Sequence, residues 1–177
     1  VFSSTRADPH GISRAGQGYV IFGKIGAWQS SIALSSLDGV TGVIINGIAA
    51  GDDAGHGLGF GGDINGDGFA DLIIGGYRDN PNGTYSGASF VVFGTTSGAK
   101  VELSNIESGN GGFSINGVSS HDYSGKSVSH AGDINGDGLD DIFIGAFKDD
   151  PNGNDSGASF VVFGKTSGNT VELSTIE

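Results

Sequence analysis

Two segments of the sequence repeat a pattern of oxygen-bearing side chains around a tight turn. The first segment runs from Asp63 to Asp71, and the second runs from Asp133 to Asp141, 70 residues later. In each segment, acidic or amide side chains stand at positions 1, 3, 5 and 9, and a glycine stands at position 6. Oxygen donors at alternating positions around a sharp turn are the ligands that Ca²⁺ prefers. The pattern therefore predicts two calcium-binding loops.

The candidate ligands come from the side chains at these positions and from the backbone carbonyl at position 7. They are Asp63, Asn65, Asp67, Asp71 and the carbonyl of Phe69 in the first loop, and Asp133, Asn135, Asp137, Asp141 and the carbonyl of Leu139 in the second. Without a cation, the three carboxylates of the first loop would repel one another. We therefore expect binding of about two Ca²⁺ ions to be coupled to folding.

The loops allow two other interpretations. An EF-hand requires a glutamate at position 12 and a helix on either side. Position 12 is Ile74 or Ile144, and the residues around it form short apolar runs that are typical of buried strands. The loops are thus predicted to close β-hairpins. A turn without metal is the alternative, because Asn-Gly and Asp-Gly favour turns, but two copies that keep all four donor positions favour calcium.

The composition limits the function classes. The 177 residues include 35 glycines, which have no collagen period, and the net charge of −12 disfavours nucleic acid and anionic membranes as partners. The absence of cysteine and methionine excludes disulfides and thiolate metal sites. No apolar run reaches transmembrane length and no signal peptide is visible, although Val1 is not expected to be the native start. Because loops of this kind need abundant free calcium, we expect a secreted or cell-surface protein.

An internal repeat organises the chain. The segment 87–94 recurs as 157–164 and, more weakly, as 16–23, which gives a period of 70 residues. We expect three units, each called a blade here. They are the C-terminal part of a first blade at 1–48, a complete blade at 49–118, and a blade without its outer strand at 119–177. Strands are predicted at 18–22, 43–48, 55–62, 71–76, 88–93, 112–118 and 158–163, and no segment is predicted to be helical.

Four short antiparallel strands per unit, joined by tight turns, predict an all-β fold of β-propeller blades. The strands at 72–76 and 90–93 are apolar on both faces, as is expected of strands that lie between neighbouring blades. Glycine and serine dominate the strand that precedes each loop, where blades crowd together at the central axis. A β-solenoid is the alternative, but its coils are usually shorter than this period.

The sequence from Gly125 to Ala146 resembles the FG-GAP repeat of the integrin α-subunit head, which also occurs in bacterial extracellular proteins. The resemblance covers two repeats and the end of a third, and it implies a seven-bladed propeller with calcium in the hairpin loop between the first two strands of a blade. The leading Phe-Gly is replaced by Ala54-Gly55 and Ser124-Gly125, and Gly-Ala-Pro by Gly75-Gly76-Tyr77 and Gly145-Ala146-Phe147. These departures lie outside the predicted metal ligands. They weaken the inference of an integrin-like ligand surface. The similarity between the two repeats favours a bacterial member.

Two and a half units cannot close a ring. Val1 to Ser3 align with Phe143 to Gly145, so the sequence begins inside a strand. Open blade faces would expose apolar surface and unpaired strand edges. We therefore expect that other blades of a longer chain, or additional copies, complete the propeller.

Other candidate sites received little support from the sequence. The histidines do not align between repeats, which disfavours zinc, and no partner at fixed spacing makes the adjacent carboxylates at 52–53 or 149–150 an acid/base pair. Trp28 is predicted to pack under its loop or to stack on a ligand. The function expected is a calcium-binding adhesion module for a protein or glycan ligand, without catalytic residues. The alternatives are an accessory domain of a larger extracellular enzyme and a subunit of a surface layer or filament.

Overall fold

Short β-strands form most of the regular structure. The computed structural model describes residues 1–26, 30–96, 98 and 100–176, so the prediction for Trp28 lies outside the described residues. In chain order the strands are β1 (Phe2–Ser4), β2 (Gln17–Ile21), β3 (Gly42–Asn46), β4 (Gly57–Gly62), β5 (Asp71–Gly76), β6 (Ala88–Val92), β7 (Val101–Glu102), β8 (Gly112–Asn116), β9 (Ser127–Gly132), β10 (Asp141–Ala146), β11 (Ala158–Val162) and β12 (Val171–Glu172). The predicted all-β class is confirmed, and the strand predicted at 71–76 has those bounds.

The strands form three sheets that follow the repeat. The second sheet contains the antiparallel series β4-β5-β6-β8, the first contains β1-β2-β3, and the third contains β9-β10-β11. In addition, β7 pairs in parallel with β3, and β12 pairs in parallel with β8. The four-stranded antiparallel unit predicted for a blade is therefore present in the second sheet. The division of the chain into units at 48/49 and 118/119 stays a prediction.

The second sheet is apolar on both faces because it lies between two neighbours. On one face, Ile73, Val91 and Phe113 belong to a buried cluster that includes Ile142 and Ile144 of the third sheet. On the other face, Ile74, Phe90 and Val92 belong to a cluster that includes Ile45 of the first sheet. This arrangement explains why β5 and β6 lack the alternation of polar and apolar residues that a half-exposed strand would show.

Small residues are required where the second and third sheets approach each other at β4 and β5. A Cβ atom on Gly75 would lie 2.0 Å from the carbonyl oxygen of Gly125, and one on Gly57 would lie 2.8 Å from the same atom. Both distances are shorter than any normal van der Waals contact. The predicted crowding of glycine-rich strands between blades is thus confirmed at these two positions.

One element contradicts the prediction that the chain contains no helix. A short helix, α1, spans Leu103–Glu107, and three-residue 3₁₀ turns occur at Pro9–Gly11, Leu34–Ser36 and Leu173–Thr175. Leu103 and Ile106 lie one turn apart and are both buried, so α1 forms because it closes one edge of the core. None of the described helices is long and apolar enough to cross a membrane.

The two parallel strands β7 and β12 bind each repeat to the outer edge of the preceding sheet. The amide Nδ2 of Asn46 donates a hydrogen bond of 2.7 Å to Oε1 of Glu102, and Asn46 Oδ1 accepts one of 2.7 Å from Gln17 Nε2. The next repeat has the same contact, because Asn116 Nδ2 donates to Glu172 Oε1 at 2.8 Å. These side chains satisfy one another across the junction, and Asn46 is almost completely buried.

We predict that Asn46→Ala lowers the free energy of unfolding by about 1–3 kcal/mol, because it removes the buried amide that donates to Glu102 and accepts from Gln17. Urea denaturation followed by tryptophan fluorescence or circular dichroism measures this change. Asn152→Ala, at an exposed position in a turn, is the matched control and should change stability by less than about 0.5 kcal/mol. Equal effects of the two substitutions would contradict the role given to the junction.

The turn after β5 contains a carboxylate with a perturbed acidity. Asp79 is partly buried, and its Oδ1 accepts a hydrogen bond of 2.7 Å from the backbone N–H of Asn80. Burial raises the pKa of Asp79 to about 7, and the nearby carboxylates of Asp52 and Glu107 act in the same direction, against the hydrogen bond from Asn80. The charged form of Asp79 is therefore disfavoured in the folded protein.

From this pKa we predict a pH-dependent effect of Asp79→Asn. A carboxyl group whose pKa is raised on folding costs stability progressively as the pH rises from about 4 to about 7, and the cost is constant above that range. The variant should therefore gain stability relative to the wild type over this interval and keep the gain at about pH 8. Urea unfolding of both proteins across the range tests this, with Asp150→Asn at an exposed position as the control. A stability difference that does not change with pH would refute the assignment.

Candidate metal centre

The two predicted loops lie at equivalent places in the fold. The loop at 63–70 connects β4 to β5, and the loop at 133–140 connects β9 to β10. Both connections are antiparallel hairpins, as predicted. Gly66 and Gly68 have φ values of +77° and +87°, and Gly136 and Gly138 have values of +77° and +91°. Glycine adopts this left-handed region without steric cost, which allows the chain to turn twice within one short loop.

The first aspartate of each loop organises the backbone around it. The carboxylate of Asp63 accepts hydrogen bonds from the N–H groups of Gly66, Asp67 and Gly68 at 2.8, 3.0 and 2.9 Å. In the second loop Asp133 accepts the equivalent bonds at 2.7, 3.1 and 2.9 Å. Three converging N–H groups hold one carboxylate at the centre of each loop, so the sequence at positions 1 to 6 determines the loop conformation.

The donors at positions 3 and 5 lie beside this carboxylate and contact each other. Asn65 Nδ2 donates a hydrogen bond of 2.9 Å to Asp67 Oδ2, while Asn65 Oδ1 accepts the N–H of Asp67. Asp67 Oδ1 in turn accepts the N–H of Phe69 at 2.9 Å. The second loop repeats these contacts with Asn135, Asp137 and Leu139. The predicted role of the Phe69 and Leu139 carbonyls as ligands stays a prediction.

The last aspartate of each loop is fully buried and joins the loop to the rest of its sheet. Asp71 Oδ2 accepts the N–H of Ile64 at 2.9 Å, and its Oδ1 accepts the N–H of Gly94, beyond the end of β6, at 2.7 Å. Asp141 makes the corresponding bonds to Ile134 and Gly164. Burial raises the pKa of Asp71 to about 6, and the carboxylates of Asp67 and Asp63 add to this effect, while the two N–H donors oppose it.

The donor set of the first loop fits a hard divalent cation in its chemistry. A carboxylate oxygen can accept two hydrogen bonds, and among the described residues each side-chain oxygen of Asp67 and Asp71 accepts one. Burial is the main cause of the raised pKa of Asp71, and the nearby carboxylates of Asp67 and Asp63 raise it further. Within the described residues, however, no group of three or more histidine, aspartate or glutamate side chains is arranged so that it could hold a metal ion. The carboxylates instead face backbone N–H groups.

Asp140, at position 8 of the second loop, faces the neighbouring loop and not its own. Asp140 Oδ2 accepts the N–H of Asp63 in the neighbouring loop at 2.8 Å, and Asp140 Oδ1 contacts Nε2 of His130 at 3.0 Å. The backbone carbonyl of Asp63 also accepts the N–H of Asp140. The His130 side chain and the N–H of Asp63 lower the pKa of Asp140. These contacts, called here the loop clamp, join the second sheet to the third.

The loop clamp was not predicted from the sequence, where the histidines were considered only as zinc ligands. A signal was present, because the positions of His130 and Asp140 carry Phe60 and Ala70 in the preceding repeat, so that both members of the pair change together. Two substitutions that occur as a pair indicate a contact between the side chains.

The other candidates have structural partners. Asp53 binds the guanidinium groups of Arg14 and Arg78 at 2.7 and 3.1 Å, and Asp52 accepts the N–H of Ala49. His10 contacts Glu102, and the ring of His56 packs against Tyr77. These contacts account for the adjacent carboxylates at 52–53 and for two of the histidines without a metal or a catalytic pair.

The loop clamp gives a prediction for the junction between the sheets. Asp140→Ala removes an acceptor from the Asp63 N–H and a partner from His130, so it should destabilise the protein by about 1–2 kcal/mol in urea unfolding. Glu107→Ala, at an exposed position in α1, is the control, with an expected change below about 0.5 kcal/mol. If Asp140→Ala had no greater effect than the control, the loop clamp would not contribute to stability.

Comparison with known proteins agrees with the geometry. The model of the FG-GAP repeat matches residues 54–92 and 124–162. Integrin alpha-2 from Bos taurus is 38% identical over 86 residues, which are 48% of this chain and only 7% of that protein. Each matched segment contains one hairpin loop with its two flanking strands. The chain therefore carries two FG-GAP repeats, the repeat of integrin α-like β-propellers, as the resemblance of 125–146 indicated.

Proposed function

We propose that this chain is a calcium-stabilised β-propeller segment of a secreted or cell-surface protein and that it serves adhesion or the binding of a protein or glycan. The observation that carries the proposal is the repetition, in two hairpins, of one donor set held by the same hydrogen bonds. Two independent loops retain the same side chains and the same backbone conformation.

In the first loop Asp63, Asn65, Asp67 and Asp71, with the carbonyl of Phe69, would hold one ion, and the equivalent residues of the second loop would hold another. A bound cation would neutralise the crowded carboxylates and cross-link the two ends of the loop. The buried carboxylate of Asp71 also accepts the N–H of Gly94, beyond the end of β6. A bound cation would therefore stabilise the hairpin together with the adjacent strand β6. Stabilisation grows with ligand concentration and reaches about 2.7 kcal/mol per site at 100 times the dissociation constant.

The extracellular location rests on this calcium requirement and on the similarity to an integrin α-subunit. A role in binding, and not in catalysis, agrees with the structural partners found for the adjacent carboxylates at 52–53. The alternative is that the chain is an accessory domain of a larger extracellular enzyme. A longer sequence would test this by showing whether a catalytic domain is attached.

Lateral assembly into a layer or filament is a second candidate, and one observation favours it. The outer face of the third sheet exposes Ile134, Phe143 and Phe163, with 53, 42 and 54% of their surface accessible. The equivalent residues Ile64 and Ile73 of the second sheet are fully buried by their neighbour. Electron microscopy of the purified chain across a concentration series would reveal such assemblies.

Calorimetric titration of the chelator-treated protein with Ca²⁺ tests the main proposal. We predict about two sites, a preference for Ca²⁺ over Mg²⁺, and a melting temperature that rises with Ca²⁺ concentration. Asp67→Ala and Asp137→Ala should each remove one site, because each deletes a charged donor that holds no inter-sheet contact.

Asp140→Ala is the matched control for these variants. It removes a carboxylate from the same loop, but one that faces Asp63 and His130, so two sites should remain although stability falls. Unchanged stoichiometry in both ligand variants would refute the assignment, and loss of a site in Asp140→Ala would show that the donor set was chosen wrongly.

A further inference from the structure

Four aromatic side chains form a continuous row across the junction between the second and third sheets. The ring of Tyr123 stacks on that of Tyr85 with the centroids 5.6 Å apart, and its centroid lies 5.6 Å from that of Phe147 on the other side. The centroid of Tyr77 is 6.0 Å from that of Tyr123. Tyr85 and Phe147 expose 36 and 49% of their surface, whereas Tyr77 is almost buried. We call these four residues the aromatic row.

The aromatic row lies at the end of the strands that is away from the hairpin loops. Tyr77 directly follows β5 and Phe147 directly follows β10, whereas the loops precede these strands. Both residues stand where the FG-GAP repeat has the proline of Gly-Ala-Pro. The row therefore arises where this chain departs from the repeat, and it is separate from the proposed calcium sites.

Two members of the row have a backbone conformation that is costly for a bulky residue. Tyr85 and Tyr123 both have a φ of +55°, in the left-handed region that aromatic residues rarely adopt. The fold requires this conformation, because Arg14 and Asp155, the residues equivalent to Tyr85, have φ values of +56° and +53°. It does not require a ring, since glycine or asparagine would adopt the conformation at a lower cost. Strain of this kind concentrates at binding sites, so the two tyrosines point to a function.

The preceding junction has an ion pair where the row has stacked rings. Arg14 and Asp53 are equivalent to Tyr85 and Tyr123, and the guanidinium of Arg14 binds the carboxylate of Asp53 at 2.7 Å. The ion pair is complete in itself. The rings instead present apolar surface to solvent, which is the usual mark of an interaction site.

Positive charge is concentrated beside these rings although the chain has a net charge of −12. Four of its eight basic residues lie in or next to the row, namely Arg14, Arg78, Lys126 and Lys148. The two guanidinium groups share the carboxylate of Asp53, and Nζ of Lys148 lies 3.5 Å from Oδ2 of Asp155. Three of the four charges therefore have a carboxylate partner.

Lys126 is the exception. Its Nζ lies over aromatic faces, 4.1 Å from the ring centroid of Tyr77 and 5.8 Å from that of Phe147. Within the described part of the chain, Lys126 forms no ion pair with a carboxylate. Its ammonium group can therefore donate to an anionic group of a ligand that packs on the neighbouring ring.

Exposed rings beside an ammonium group favour one class of ligand. The C–H groups on one face of a sugar ring pack against an aromatic ring while its hydroxyl groups stay hydrated, and tyrosine suits a contact that is apolar at one end and wet at the other. A carboxylate on the sugar would add a charge-assisted hydrogen bond from Lys126. A cationic ligand would be repelled by Lys126 and Arg78.

We propose that the aromatic row binds an acidic glycan, with a carboxylated sugar packed on Phe147 beside Lys126 and a further sugar packed on Tyr85. This inference rests on the binding role proposed above and names its ligand class, but it does not depend on calcium. If no glycan bound, the two-site calcium titration would still stand, because the row and the loops lie at opposite ends of β5 and β10.

Two matched pairs of oligosaccharides are the probes: sialyllactose with lactose, and a glucuronic acid tetramer with cellotetraose. In NMR titrations of the calcium-saturated chain, at least one acidic member should bind saturably and at least about tenfold more tightly than its neutral partner. Hexaglutamate supplies carboxylates without sugar rings, and it should not compete.

Two lysine variants test the charge. Lys126→Gln should weaken binding of the acidic oligosaccharide at least about tenfold and leave that of its neutral partner unchanged. Lys165→Gln is the matched control, because Nζ of Lys165 also lies over a ring, 4.3 Å from the centroid of Phe113, but outside the row. The control should leave both affinities unchanged.

Tyr85→Asn tests the ring. Asparagine adopts the left-handed region more readily than tyrosine, so the variant should fold, which a melting curve checks, and should bind both members of a pair more weakly. The proposal would be overturned by no saturable binding of either acidic oligosaccharide at about 10 mM, by equal affinity for a neutral partner or for hexaglutamate, by equal effects of the two lysine variants, or by unchanged affinity in folded Tyr85→Asn.

Discussion

Burial of both faces of the second sheet between its two neighbours is the constraint on which the rest of this structure depends. The strands at the centre of the second sheet carry apolar residues on either side, so the sheet cannot be stable with one face in water. Ile73 is buried against the third sheet and Ile74 against the first. Glycines at the closest approach, such as Gly75 beside Gly125, let the sheets come near enough to remove water from these contacts.

The hairpin loops join this packing to the polar chemistry of the chain. Asp63 lies between two environments, because its carboxylate collects the N–H groups of its own loop while its backbone pairs with Asp140 of the next sheet. Ile64, the following residue, is inserted into the core. A substitution in the loop would therefore also change the packing at the junction between the sheets. Neutralising the loop carboxylates, in the function proposed here, would stabilise the packing as well as the turn.

Local sequence signals predicted the strands and loops well. The strand at 71–76, the glycines of the turns and the hairpin character of the loops follow from short-range patterns, since β-branched runs and Asn-Gly or Asp-Gly pairs act over a few residues. The contact of Glu102 with Asn46 joins residues far apart in the sequence, and α1 forms only because Leu103 and Ile106 meet that distant core. The direction of Asp140 was missed because spacing within one loop does not decide whether a carboxylate faces its own loop or a neighbouring one. Only the paired change of positions 130 and 140 between the repeats carried that information.

Equivalent residues in the repeats differ in burial, and this difference has an energetic consequence. Ile64 is completely buried, whereas Ile134 exposes about half of its surface. Full burial of an isoleucine contributes about 1.5–3 kcal/mol, so the same loop sequence stabilises one junction and leaves the other face of the third sheet without that contribution. In repeat proteins, stability is close to a sum of terms from each repeat and its nearest neighbours. The third sheet, which has a neighbour on one side in the described structure, must therefore be less stable than the second, and a further repeat packed on Phe143 and Ile134 would supply the missing term.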